Sequence, residues 1–264
     1  MDEEAWRVAG RVERVLVVLA TVAVLTINAL AGAGSLNDVS TGEVARRFDL
    51  PFTPAGYAFA IWSLIYLGLT AFTVAQAVPS RWPSSRVEAI RPAYVFSSVA
   101  NGAWLWFWHH EALPGSLAVM VLLLGSLTVI YRTLAATPPA TAAEAWWLDR
   151  PLRLYCAWIT VATLVNLAVV LAAGGVPGLA LDPVLSSQVM IAATFAVGVF
   201  VYRRLRDPLF LCVIAWAAAA IALKAGQPPA VSAPAMLVCG LLGLGAIGLL
   251  VEGARDGELQ STTG

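Results

Sequence analysis

Phe52-Thr-Pro-Ala-Gly-Tyr-Ala-Phe-Ala-Ile-Trp62-Ser-Leu-Ile-Tyr66 runs from a proline-containing turn straight into a long apolar segment. A second run, Trp158-Ile-Thr-Val-Ala162-Thr163-Leu-Val-Asn166, lies inside another apolar segment later in the chain. Tryptophan, tyrosine and asparagine are costly to strand in hydrocarbon, so their placement mid-helix implies partners or a cavity. Both runs read as membrane helices with polar work to do.

Composition supports that reading. Of 264 residues, 59% are hydrophobic and only 12% charged, with mean hydropathy +0.79. A soluble domain carries about twice that charge fraction. The formal net charge is zero, so there is no basic footprint for nucleic acid. Cys156, Cys212 and Cys239 fall inside predicted helices without Cys-x-x-Cys or Cys/His spacing, which argues against a disulfide framework or zinc site. They read as small packing residues.

Eight apolar spans can be drawn: Glu13 to Ala33, Pro54 to Val78, Arg91 to His110, Pro114 to Leu134, Pro151 to Ala173, Ser186 to Tyr202, Pro208 to Lys224 and Val231 to Val251. Each has about the length that crosses a bilayer. Pro54, Pro92, Pro114, Pro151 and Pro208 are expected in first turns, where a missing N–H costs nothing. The longest connector, Gly34 to Thr53, reads as an ordered cap or short helix. The fold class is all-α, a polytopic membrane helix bundle. Residues 1–175 form a five-helix core, 176–252 three further transmembrane helices, and 253–264 a flexible tail.

Arginine placement sets the topology. With the amino terminus inside, thirteen of the sixteen basic residues face the cytoplasm, and only Arg46, Arg47 and Lys224 face outward. That is the positive-inside pattern. It predicts that both termini are cytoplasmic. The first span reads as a signal anchor: its acidic flank, Asp2, Glu3 and Glu4, and its long apolar run do not suit a cleaved signal peptide.

Depth arithmetic groups the polar and aromatic residues. At about 1.5 Å per residue, Trp62 lies roughly 12 Å below the outer end of its span. Trp104, Asn28 and Asn166 come out at similar heights, roughly 20 to 23 Å from the inner side, with Asn101 a turn lower and Trp158 lower still. An apolar, aromatic layer with a few orienting amides is the recipe for a small-molecule site; it is equally the recipe for helix–helix glue. Within Trp104-Leu-Trp106-Phe-Trp108-His109-His110-Glu111, the end tryptophans suit an interfacial belt. Adjacent histidines diverge by about 100° on a helix and no third exists, so no metal site is drawn there. The spans carry no mid-helix Asp or Glu of the kind that couples ion-driven transport, and no nucleophile–base set or phosphate loop occurs. No catalytic residue is assigned. The last spans, with Ala217 to Ala220 and Gly240, Gly243, Gly245 and Gly248, are rich in small residues suited to close packing or a subunit interface.

The quoted runs resemble the TspO/translocator protein family, the tryptophan-rich sensory proteins of bacteria. The family's second helix opens with an aromatic-Thr-Pro-Pro-Gly-type turn, then an apolar-Trp-x-x-x-Tyr run; here Phe52 to Tyr57 is followed by Ile61, Trp62 and Tyr66. Its third-helix Leu-Asn-x-x-Trp is matched by Ala100, Asn101 and Trp104, with Phe107 beyond. Its fifth-helix Pro-Tyr-x-x-Trp-x-x-x-Ala-Thr-x-x-Asn is matched by Leu154, Tyr155, Trp158, Ala162, Thr163 and Asn166. The motifs cover about residues 10 to 175.

This resemblance implies a five-helix bundle whose cavity is closed by the first connector and binds tetrapyrroles, sterols or other apolar ligands. Family members commonly form homodimers and are linked to stress response and light-dependent porphyrin degradation. The ligand-binding residues it points to, with the depth layer, are Trp62, Asn101, Trp104, Trp158, Tyr66, Phe59, Ala162, Asn166 and Asn28. The connector departs from the family, offering Thr41-Gly-Glu and Arg46-Arg47 where Trp-Tyr and Lys-Pro elements are expected, and three helices follow the core. The leading expectation is a binding or sensory protein holding an apolar or tetrapyrrole-like ligand, protoporphyrin or haem, with the lipid bilayer as its surroundings. The alternative is a permease for a small hydrophobic solute. Oxidative porphyrin breakdown ranks last, since the layer offers no general acid or base.

Overall fold

A computed structural model describes residues 3–48, 50–77, 85–173 and 182–263, with side chains described between 10 and 255 of those stretches. Every regular element among the described residues is helical. In order they are α1 (Glu3–Gly32), α2 (Thr41–Arg47), α3 (Ile61–Ala77), α4 (Ser85–His109), α5 (Leu113–Ala136), the single turn α6 (Ala142–Glu144), α7 (Arg150–Ala172), α8 (Pro183–Phe200), α9 (Pro208–Ala222) and α10 (Pro229–Thr263). A 3-10 turn, Gly56–Ala60, leads into α3, and π-helical turns at Ala145–Asp149 and Val201–Leu205 precede α7 and follow α8.

Among the described residues, six helical segments are long and apolar enough to cross a membrane: Gly10–Gly32, Gly56–Ala77, Leu113–Ala136, Ala142–Ala172, Pro183–Leu205 and Pro229–Arg255. The protein is a multi-pass membrane protein. The other two expected spans fall on α9, apolar but only 15 residues long, and on α4, whose first turns carry Arg86, Glu88 and Arg91.

Several helix ends differ from the sequence reading. Pro114 and Pro208 do sit in first turns. Pro54 instead precedes the 3-10 turn, and α3 proper begins at Ile61. Pro92 lies inside α4, because the helix starts at Ser85 and buries Arg86 and Val87. The hydropathic segment at α7 begins at Ala142, so it includes two buried carboxylates, Glu144 and Asp149. Helix α10 continues to Thr263 through the stretch read as a flexible tail. The boundary drawn at 175/176, the span end at Val78 and the basic residue Arg81 lie outside the described residues.

The chain divides into two compact units. The first comprises Met1–Phe48 and Phe59–Val170. In it, α5 presents Met120, Leu123, Leu127 and Ile130 as a fully buried stripe, whose alternating three- and four-residue spacing keeps one face turned inward. Thr21 of α1 hydrogen-bonds both Thr73 of α3 and Tyr94 of α4, each at 2.7 Å. In lipid the tails are as apolar as leucine, so fit and such hydrogen bonds hold the helices together.

The second unit comprises Asp49–Ala58 and Leu171–Gly264. Along α10, Val231, Ala235, Val238, Leu242, Ala246 and Leu249 are buried while Leu237, Leu241, Leu244, Ile247 and Leu250 are exposed. The exposed face suits contact with lipid. Buried Ala217 and Ala220 allow the close approach of α9. Asp182 and Asp207 cap α8 and α9 by accepting hydrogen bonds from the first-turn N–H groups, relieving the helix ends.

Candidate functional site

An amide–phenol chain links four helices of the first unit. The Tyr66 hydroxyl donates to Asn28 Oδ1 at 2.7 Å. Asn28 Nδ2 donates to Asn101 Oδ1 at 2.7 Å and to its own helix at Val24 O. Asn101 Nδ2 donates to the Tyr155 hydroxyl at 3.0 Å. Asn28 and Asn101 are buried, and each buried amide is matched, as a dry interior requires. Asn101→Leu removes the hydrogen bonds from α4 to Asn28 of α1 and to Tyr155 of α7. We expect it to cost about 1 kcal/mol, at roughly 0.6 per interhelical bond, read as a lowered midpoint in detergent unfolding with the fold retained.

Beside this chain lies a row of rings. Trp62 stacks on Tyr66 with centroids 5.4 Å apart and meets Tyr155 and Trp158 edge-on at 6.1 and 6.4 Å. Phe59 meets Trp158 edge-on at 6.0 Å. Positions 59, 62 and 66, and again 155 and 158, are three or four apart, so each set shares a side of its segment. Trp158 is 2% exposed, yet its indole N–H has no partner. Phe59, Trp62, Tyr66 and Ala162 are only partly buried.

The remaining predicted residues sit elsewhere. Trp104 stacks on Trp108 at 5.9 Å, and its own buried N–H is also unpartnered. Asn166 does not join the other asparagines: it exchanges hydrogen bonds with Ser116 of α5 at 3.2 Å. One depth layer therefore resolves into three separate sets of contacts. Tyr155, the junction of the amide chain and the ring row, was quoted in the fifth-helix motif without being assigned to the site. Its position three residues before Trp158 was the available signal. Ser116 carried none.

The first connector is ordered. Ser40 and Glu43 form a capping box on α2, the Ser40 N–H donating to Glu43 Oε2 at 2.6 Å and the Glu43 N–H to Ser40 Oγ at 3.3 Å. Hydrogen bonds from Ser40, side chain first and backbone second, hold the Glu43 carboxyl below the usual carboxylate range. The cap's contribution is therefore full above that range and is lost as pH falls through the lowered value. Val44 and Ala45 of α2 are buried. Trp108 Nε1 donates to Thr41 O, and the His109 ring lies between Leu36 O and Thr41 Oγ1, both at 3.1 Å. Asn37 Nδ2 returns a bond to His109 O. Both His109 ring nitrogens thus serve the connector. Arg47 pairs with Glu111, and Arg46 with Glu43 at 3.7 Å.

What the ring row offers is an aromatic wall, a satisfied amide–phenol chain and a buried donor without an acceptor. That set can stack on and orient a ligand. A family model described as TSPO-like protein matches residues 14–248. The match takes in α8, α9 and most of α10, well past the end of the motif resemblance near residue 175. No curated protein and no solved structure matches the chain.

Proposed function

The chain belongs to the TSPO-like protein family, and from that premise we propose that it binds an apolar, tetrapyrrole-like ligand against the row Phe59, Trp62, Tyr66, Tyr155 and Trp158. The observation that carries this reading is the Trp158 indole N–H, buried among aromatic rings with no acceptor. A buried unpaired donor costs about 1–3 kcal/mol, and a ligand carbonyl or carboxylate would relieve it while its ring system stacks on Trp62. Tyr66 and Tyr155, bonded through Asn28 and Asn101, brace the wall. Trp104 supplies a second unpartnered donor nearer the connector.

The membrane setting belongs to the same proposal: eight spans in a bacterial inner membrane, both termini cytoplasmic. Helix α4 completes the set because Pro92 to Trp108 carries no charge. Helix α9, about 22 Å long at 1.5 Å per residue, crosses a locally thinned bilayer. The arginine asymmetry supports this orientation.

The test is titration of the detergent-purified protein with protoporphyrin and with haem, following tryptophan fluorescence. Saturable quenching at micromolar ligand is expected. Trp158→Phe keeps a ring and removes the donor, so affinity should fall about tenfold, the worth of one hydrogen bond. Trp62→Ala should weaken binding without unfolding the bundle. Linear quenching unchanged in both variants would mean partitioning into detergent and would end the proposal.

A further inference from the structure

The turn that opens the second span is gripped by the carboxy-terminal helices. Within the second unit, Lys224 Nζ donates to Leu50 O at 2.9 Å and Gln227 Nε2 to Pro51 O at 2.7 Å. The Ala55 N–H donates to Ala220 O at 3.0 Å, and Trp216 Nε1 to Ala58 O at 3.3 Å. The Tyr57 ring meets Trp216 edge-on at 5.5 Å. Phe52 is fully buried and, with Ile191 and Thr194 of α8, Ala218 and Ile221 of α9, and Ala235 and Val238 of α10, lines a void of only about 10 Å³. That space is too small for a ligand. Gly226, at φ +73, sets the bend that presents Gln227.

Backbone carbonyls in a membrane protein need donors, and here Trp216, Lys224 and Gln227 supply them from side chains. Helix packing alone does not call for that. Residue 58 is held at its carbonyl, and the next residue, Phe59, begins the ring row. We propose that Trp216, Lys224 and Gln227 are positioning residues: by fixing the turn at 50–58 they set where Phe59 and Trp62 stand, and so set ligand affinity. This assignment rests on the ligand reading above for its affinity arm, but its structural arm does not.

The test uses full-length Lys224→Ala/Gln227→Ala and, separately, Trp216→Phe, which keeps the ring and loses the donor. Protoporphyrin affinity is measured from porphyrin absorbance, and backbone hydrogen exchange is followed in the peptides covering 50–58 and 59–66. The double variant should bind about tenfold more weakly and exchange faster in 59–66 as well as in 50–58. Lys224→Arg with Gln227 intact keeps the donors and should restore both values. Faster exchange confined to 50–58, with affinity unchanged, would overturn the proposal while leaving the ligand site standing. If the wild type shows no saturable protoporphyrin binding, the ligand reading fails, and exchange in 59–66 alone decides: acceleration upholds the coupling and no change overturns it. Should the double variant lose its monodisperse peak, Trp216→Phe decides by the same two readouts.

Discussion

Arg86→Met should be the most damaging single substitution in the chain, at about 3–5 kcal/mol. Arg86 is the second residue of α4, and its side chain is 6% exposed. Its Nη1 donates to Glu144 Oε1 at 2.9 Å; its Nη2 donates to Asp149 Oδ1 and Oδ2 at 3.0 and 2.9 Å and to Leu134 O at 3.0 Å. One guanidinium thus ties α4 to the end of α5 and to the π-helical turn before α7. Methionine fills similar space but removes the guanidinium from two carboxylates that are 6% and 4% exposed. Arg153, 3.8 Å from Asp149, is too distant for a direct hydrogen bond. The checks are the midpoint of unfolding in detergent and the yield of monodisperse protein. Adding Glu144→Leu and Asp149→Leu should recover most of the loss, since apolar replacement of a whole buried ion cluster is often neutral or better. A cost below about 1 kcal/mol for Arg86→Met would show that the cluster is hydrated, behaving as the exposed Arg47–Glu111 pair should.

Gly68→Ala comes next. A Cβ on Gly68 of α3 would lie 2.6 Å from Pro151 Cβ and 3.3 Å from its Cα at the start of α7. The pyrrolidine ring cannot swing aside, so the two helix backbones must part. Overpacking of this kind costs about 1–3 kcal/mol, partly offset by the roughly 1 kcal/mol by which alanine favours a helix over glycine. Gly125→Ala on α5 is the control, because nothing lies within 4 Å of its added methyl. We expect a lowered unfolding midpoint for Gly68→Ala and an unchanged or raised one for Gly125→Ala. Equal midpoints would mean that α3 and α7 do not depend on this approach.

The existence and order of the helices were legible in the sequence, because apolar runs, prolines and capping residues are local signals. Where α4 begins was not. Ser85 to Ile90 is helical because Arg86 meets carboxylates 58 and 63 residues away, and no local pattern carries that. The late start of α3 has a similar origin, in donors beyond residue 215 that hold the turn at 50–58. In the site, depth counting put Asn28, Asn101 and Asn166 near one level, but height along a helix says nothing about rotation around it. Rotation decides that Asn28 faces Asn101 while Asn166 faces Ser116. The small-residue stripe on α10 divides in the same way: a Cβ added at Gly245 would lie 3.3 Å from the Tyr202 ring, while one at Gly240, Gly243 or Gly248 would meet nothing within 4 Å.

The grip on the turn also orders events during synthesis. Lys224 follows Leu50 by 174 residues, which is roughly 9 to 35 s of translation at about 5 to 20 residues per second. Through that interval α1 to α7 can leave the ribosome and enter the bilayer, but the carbonyls of Leu50 and Pro51 have none of their eventual donors. The turn at 50–58 can therefore take its final form only after Trp216, Lys224 and Gln227 have been made. A nascent protein stopped after α7 would hold every aromatic residue of the ring row and still lack every side-chain donor named for the turn.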